Sequence, residues 1–300
     1  MRSWLAQHEM RSAKTLDEAL MILAPGDVAP FAGGTDLMVL LEAGKLPKRR
    51  FLDVWRVPEL RGITATDDET VIGALSTYTD MLESSIVAAA YPLLCAAARE
   101  TGAVAIQNRG TVGGNIANAS PAADLPPALL VYDAELELAS VRGTRRVPYH
   151  AFHSGYKKMD LAPDELIVSV RLPRPSGAQR QSYRKVGTRR AQAISKICFA
   201  GVVEFLPHAG LPPEEGSRTS ATGGGSRTIR QIRIAFGSVA PTVVRARAAE
   251  AVLRGRTVDP QTIAEARRAL VEDIAPIDDL RSTANYRLTV AGNLLEEFLS

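Results

Sequence analysis

A chain of 300 residues, 46% hydrophobic and 23% charged, can bury a large core and carries none of the compositional marks of a disordered or fibrous protein. Thirty-six Lys and Arg against 33 Asp and Glu leave a net charge of only +3, with the basic residues scattered, which argues against a nucleic-acid binder. Two cysteines, Cys95 and Cys198, both in apolar runs, exclude a disulfide framework and a four-cysteine iron–sulfur motif, and no apolar run approaches the ~18 residues of a membrane span. The expected setting is cytoplasmic.

In chain order, residues 15–24 have a capping-type start and helical apolar spacing, stopped by Pro25 and Gly26. A short strand ending near Phe31, a glycine loop, a helix over about 35–42 and a strand within 49–57 make a small β-loop-α-β unit. The run TVIGALST reads as a strand and residues 91–100 as a buried helix. Residues 134–152 alternate as an antiparallel hairpin, with Arg142 and Gly143 at its turn, and DELIVSVRLPRP is a strand closed by prolines. Residues 173–181 read as a domain boundary. Beyond it come strands and then three amphipathic helices, an α+β pattern. Between the first two of those strands, the Gly-, Ser- and Pro-rich stretch from Pro207 to Thr228 reads as a mobile surface loop.

Two stretches carry chemistry. "PFAGGTDLMVLLEAG" and "QNRGTVGGNIANASPAAD" each place a Gly-Gly pair beside a threonine, and two such loops can grip a diphosphate from both sides. Close approach of several backbone N–H groups to a phosphate calls for residues without Cβ that tolerate positive φ. Thr35, Thr111 and Asn115 add side-chain donors without bulk. Either loop alone reads more simply as a tight turn; the pair is the signal. Neither is G-x-G-x-x-G, and no P-loop motif occurs, so a nucleotide bound here uses another architecture. His150 and His153 lack a third partner for a metal site, and G-x-S-x-G is absent, so no metal site and no serine-hydrolase elbow is expected.

The stretches "FAGGTDLMVLLEAG", "IQNRGTVGGNIANASPAADLPPALL", "PDELI" and "RKVGTRRAQAISK" closely resemble the FAD-binding medium subunit of molybdenum hydroxylases, the xanthine, carbon monoxide, aldehyde and N-heterocycle dehydrogenases. The resemblance implies an α+β fold. A flavin domain of the vanillyl-alcohol-oxidase (PCMH) type would span residues 1–173, in subdomains of about 1–55 and 56–173, followed by a small C-terminal α+β domain over 180–300. It implies non-covalent FAD in this chain, with the molybdenum cofactor and [2Fe-2S] clusters on the large and small subunits of a heterotrimer. NAD, or another acceptor, would take the electrons.

Carried over by position, Ala32, Gly33, Gly34, Thr35 and Asp36 would form the first pyrophosphate loop. Thr111, Gly113, Gly114 and Asn115 would form the second. Ile106 would lie along the isoalloxazine, Asp124 would accept hydrogen bonds from FAD hydroxyls, Ile167 would give apolar wall near the ring, and Lys185 would reach the flavin region. Plain alternatives stand beside three of these: Asp124 as the N-cap of a helix starting at Pro126, Ile167 as a buried strand residue, and Lys185 as a solvated strand lysine. Where the family often has a hydroxyl-bearing residue, this chain has Met159. No general acid, base or nucleophile stands out. A free-standing flavin oxidoreductase and a cofactor-free assembly subunit are the competing function classes.

Overall fold

The computed structural model describes residues 8–47, 49–189, 192–207 and 227–300. Most of the Gly/Ser-rich stretch read as a mobile loop, residues 208–226, lies outside them.

The N-terminal unit is built on a parallel three-stranded sheet in which Arg50–Asp53 is flanked by Glu9–Ser12 and Val28–Phe31. The helix Leu16–Leu23 crosses between the outer strands. Its N-cap Thr15 accepts from the Glu18 backbone N–H at 3.2 Å, and Glu18 reaches back to the Lys14 N–H at 2.7 Å, so the sequence signal for its start is met by two real bonds. Gly26, at φ +77°, turns the chain after it.

A second sheet is antiparallel, in the order Ile63–Ala65, Glu69–Gly73, Leu166–Pro173, Glu135–Ser140 and Gly143–Pro148. Three details differ from the sequence reading. The strand expected over TVIGALST stops at Gly73, because Thr77 opens a capping box with Asp80 and starts the helix Tyr78–Glu83. The hairpin turn consists of Val141 and Arg142, with Gly143 already paired to Ser140 at φ +125°. Helices also form at Val104–Gln107, leading into the stretch read as a glycine loop, and at Val112–Asn118, inside it.

The third sheet is antiparallel, Arg180–Val186, Ile197–Phe205, Ile229–Gly237 and Val244–Arg245. Its second strand is buried on both faces, which explains its unbroken apolar run. Ile197, Phe199 and Val203 pack on the expected helices Arg247–Leu253, Pro260–Asp273 and Ala284–Leu299. Ala200 and Val202, pointing the other way, join the core of the preceding domain, where the helices Pro126–Val131 and Pro92–Glu100 meet the sheet. This shared layer carries residues of the third sheet into the neighbourhood of the glycine loops. Among the described residues, no helix is long and apolar enough to cross a membrane.

Candidate functional site

The two glycine stretches, far apart in sequence, lie against each other. A Cβ on Gly33 would stand 1.7 Å from the Arg109 carbonyl oxygen, so only glycine permits this approach. Asn118 Nδ2 donates to Asp36 Oδ1 at 3.3 Å, and Lys157 Nζ in turn donates to the Asn118 carbonyl and, at 2.6 Å, to its Oδ1. Arg109 also stacks on Trp55, 3.8 Å from the ring centroid, and Arg61 lies over the same ring at 4.4 Å. None of Asn118, Lys157, Arg109 or Trp55 was singled out in the sequence. The available signal was weak: Asn115 and Asn118 sit i, i+3, on neighbouring positions of one helical face.

Their backbones differ. In the first stretch Gly34 has φ +74°, and the N–H groups of Gly33, Gly34, Thr35, Asp36 and Leu37 donate to no protein acceptor among the described residues. A row of outward N–H groups through a positive-φ glycine is an anion-binding concavity. In the second stretch the N–H groups are occupied. Val112 donates to Ser76 O at 3.0 Å, Gly113 to Ala74 O at 2.8 Å, Gly114 to Thr111 Oγ1 at 3.1 Å and Asn115 to Thr111 O at 2.9 Å. Neither Gly113 nor Gly114 has positive φ, contrary to the expectation of two strained turns. Gly113 is small because a Cβ would come within 2.7 Å of the Ala74 Cβ. What this helix leaves unpaired is a side chain, the buried Oδ1 of Asn115.

Beside them, Ile106 and Val104 are exposed apolar residues, at 37% and 69%. Ile167 is buried in the main core. Asp124 is not an N-cap: Leu125 occupies that position before Pro126 and makes no side-chain capping bond. Instead Asp124 Oδ2 accepts from Lys185 Nζ at 2.7 Å and Oδ1 from Ser195 Oγ at 2.6 Å. The side chains of Lys185 and Asp124 are only 5% and 11% exposed, so the solvated-lysine alternative does not hold. Lys185 also donates to the Glu100 carbonyl at 2.7 Å, and Tyr183 Oη to the Asp124 carbonyl at 3.0 Å. Burial pushes the Asp124 carboxyl up from its ordinary range, against the opposing pull of Lys185 and Ser195.

Compared with known proteins, residues 6–175 match the family described as FAD binding domain in molybdopterin dehydrogenase, and residues 182–300 the CO dehydrogenase flavoprotein C-terminal domain. The chain belongs to the FAD-binding family of molybdopterin dehydrogenases. It is 33% identical over 291 residues to the xanthine dehydrogenase FAD-binding subunit of Escherichia coli O157:H7, covering 96% of this chain and 93% of that one. It is 29% identical to the carbon monoxide dehydrogenase medium chain of Hydrogenophaga pseudoflava, covering 97% and 96%. A solved carbon monoxide dehydrogenase from Hydrogenophaga pseudoflava, lacking the Mo-pyranopterin moiety of its cofactor, superposes with a TM-score of 0.85 at 32% identity, covering 97% of this chain and 95% of that one. The flavoprotein is thus an oxidoreductase component with the two-domain α+β fold of that family.

The residues fit the cofactor. The unpartnered N–H row suits a diphosphate, which needs several donors at close range. The buried Asn115 Oδ1, without a hydrogen-bond partner among the described residues, can accept from a bound ligand, and the exposed apolar pair Val104 and Ile106 suits a planar ring.

Proposed function

We propose that this flavoprotein is the electron-transfer subunit of a heterotrimeric molybdenum hydroxylase. In this reading it takes electrons from a [2Fe-2S] small subunit, with the molybdenum cofactor on a large subunit, and passes them to NAD or another acceptor. The observation that carries it is the free N–H row from Gly33 to Leu37, pressed against the second glycine stretch, in a chain whose relatives are named as a FAD-binding subunit and a medium chain of multi-part dehydrogenases. FAD, when bound, supplies the chemistry of exchanging electrons one or two at a time.

The protein's part is to hold and shield. Gly33, Gly34, Thr35 and Asp36, entered from Ala32, would donate to the diphosphate. Thr111, Gly113 and Gly114 would set the second wall, and Asn115 would offer its unpaired oxygen. Ile106 and Val104 would keep water from one side of the ring, with Ile167 supporting the wall from within the core. Asp124 would accept from FAD hydroxyls while Lys185 favours its ionised form against the effect of burial. We place the flavin domain at residues 1–173, with subdomains about 1–55 and 56–173, and the C-terminal domain at 180–300. The separate sheets and the break between the two family matches support that division.

Acid denaturation followed by chromatography tests the cofactor: free FAD is expected, and FMN, or pigment left on the chain, would contradict it. Partners are tested by co-purification with metal analysis. Flavin reduction by an organic substrate is expected only when iron–sulfur and molybdenum subunits are present. Rapid reduction of the isolated chain by such a substrate would favour a free-standing flavoenzyme instead.

A further inference from the structure

Ser195 belongs to the C-terminal domain and is fully buried, yet its hydroxyl reaches across to Asp124 of the preceding domain at 2.6 Å. A carboxylate only accepts, so the serine donates, and charge-assisted bonds of this length are among the stronger ones in proteins. The serine itself is held in place. Its carbonyl accepts from Ser238 Oγ at 3.0 Å, the Ser238 N–H donates to Pro121 O at 2.7 Å, and the Ser238 carbonyl accepts from Arg287 Nη1 at 2.8 Å. Arg287 is tied by its other nitrogen to Asp279 Oδ1 at 2.7 Å. A polar chain therefore runs from the last helix through the third sheet to the Asp124 carboxylate.

We infer that Ser195 is a positioning residue of the flavin site, orienting Asp124 as an acceptor by binding the carboxylate oxygen that Lys185 does not; this rests on the reading that Asp124 meets FAD hydroxyls. The groups facing Asp124 are Lys185, Glu100, Tyr183, Cys198 and Tyr78. Burial pushes the Tyr78 and Tyr183 phenols and the Cys198 thiol up, away from neutral pH. The Asp124 carboxyl, itself raised by burial and held down by Lys185 and Ser195, is the group that a lost donor would move. Without the serine hydroxyl its proton is held to higher pH, so as pH falls the FAD affinity that needs the carboxylate begins to drop at a higher pH than in the unmodified protein.

The test is FAD titration of the full-length apoprotein, followed by flavin fluorescence from about pH 5 to about pH 9. Ser195→Ala is expected to bind about tenfold more weakly near the acid end and to approach the unmodified protein at the alkaline end. Lys185→Met should move the fall further in the same direction, and Ser195→Cys, a weaker donor of similar size, less far. The cysteine variant also serves if the alanine void prevents folding. A Ser195→Ala profile that superimposes on the unmodified one, or is weaker by one factor at every pH, overturns the inference. Asp124→Asn separates the two failures. Weak binding by Asp124→Asn beside an unshifted Ser195→Ala sinks only the positioning role, whereas unchanged binding by Asp124→Asn sinks the reading of Asp124 and the inference with it.

Discussion

Residues 33–37 and residues 111–115 each place paired glycine beside threonine, yet among the described residues the first stretch finds no acceptor for its N–H groups while the second ties each of Val112, Gly113, Gly114 and Asn115 to an acceptor within the protein. Gly34 uses the positive φ that glycine allows, and Gly113 uses only the missing Cβ, to lie against Ala74. The same dipeptide thus serves two physical ends. One stretch is an open donor surface; the other is a packed wall that braces it through Arg109 and Asn118.

The comparison breaks most visibly at Gly33, where both stretches depend on one contact. Gly33→Ala drives a methyl into the Arg109 carbonyl, and because that neighbour is backbone it cannot rotate away. We expect a loss of about 3 kcal/mol in stability and roughly hundredfold in FAD affinity, read by denaturant unfolding and flavin titration. Normal binding by this variant would mean that the two stretches need not touch.

Gly34→Ala and Gly113→Ala sharpen the contrast. The first strains a left-handed residue, brings a Cβ within 2.7 Å of the Phe31 ring and distorts the donor row, so stability should fall by about 1–3 kcal/mol and FAD affinity about tenfold. The second overpacks Ala74 and should lower stability by about 1–2 kcal/mol while the folded fraction binds FAD almost normally. If Gly113→Ala instead abolishes binding at full folding, the second stretch is a donor surface after all.

Gly114→Ala should have the smallest effect. Its position is exposed and helical, its new Cβ would meet only the Thr111 hydroxyl at 2.8 Å, and alanine's better helix propensity offsets part of that crowding. Stability should change by less than about 1 kcal/mol, checked by thermal unfolding; a large loss of FAD with no change in melting would return Gly114 to the diphosphate.

Much of the fold was legible. The capping signal at Thr15, the alternation in 135–148 and the helical spacing in the last three helices are local patterns that became the expected elements. The helix Val112–Asn118 was not, because a Gly-Gly-Asn run has poor helix propensity; the Thr111 cap and the Ser76 and Ala74 carbonyls stabilise it from outside. The capping alternative at Asp124 does not hold: its place before two prolines suits an N-cap, but its carboxylate turns to Lys185, 61 residues away.

By itself, the sequence determined which residues could approach a phosphate, since glycine's missing Cβ and the donors of threonine and asparagine are properties of the residue alone, and it determined the periodicities that set strands and helices. Only the tertiary structure decided which of those donors remain free. That depends on acceptors brought from elsewhere: Ala74 and Ser76 carbonyls that satisfy the second stretch, none among the described residues that reaches the first, and a third sheet that buries Lys185 and Ser195 against Asp124. A backbone N–H is the same donor at every position, and its availability is fixed by what the fold packs beside it.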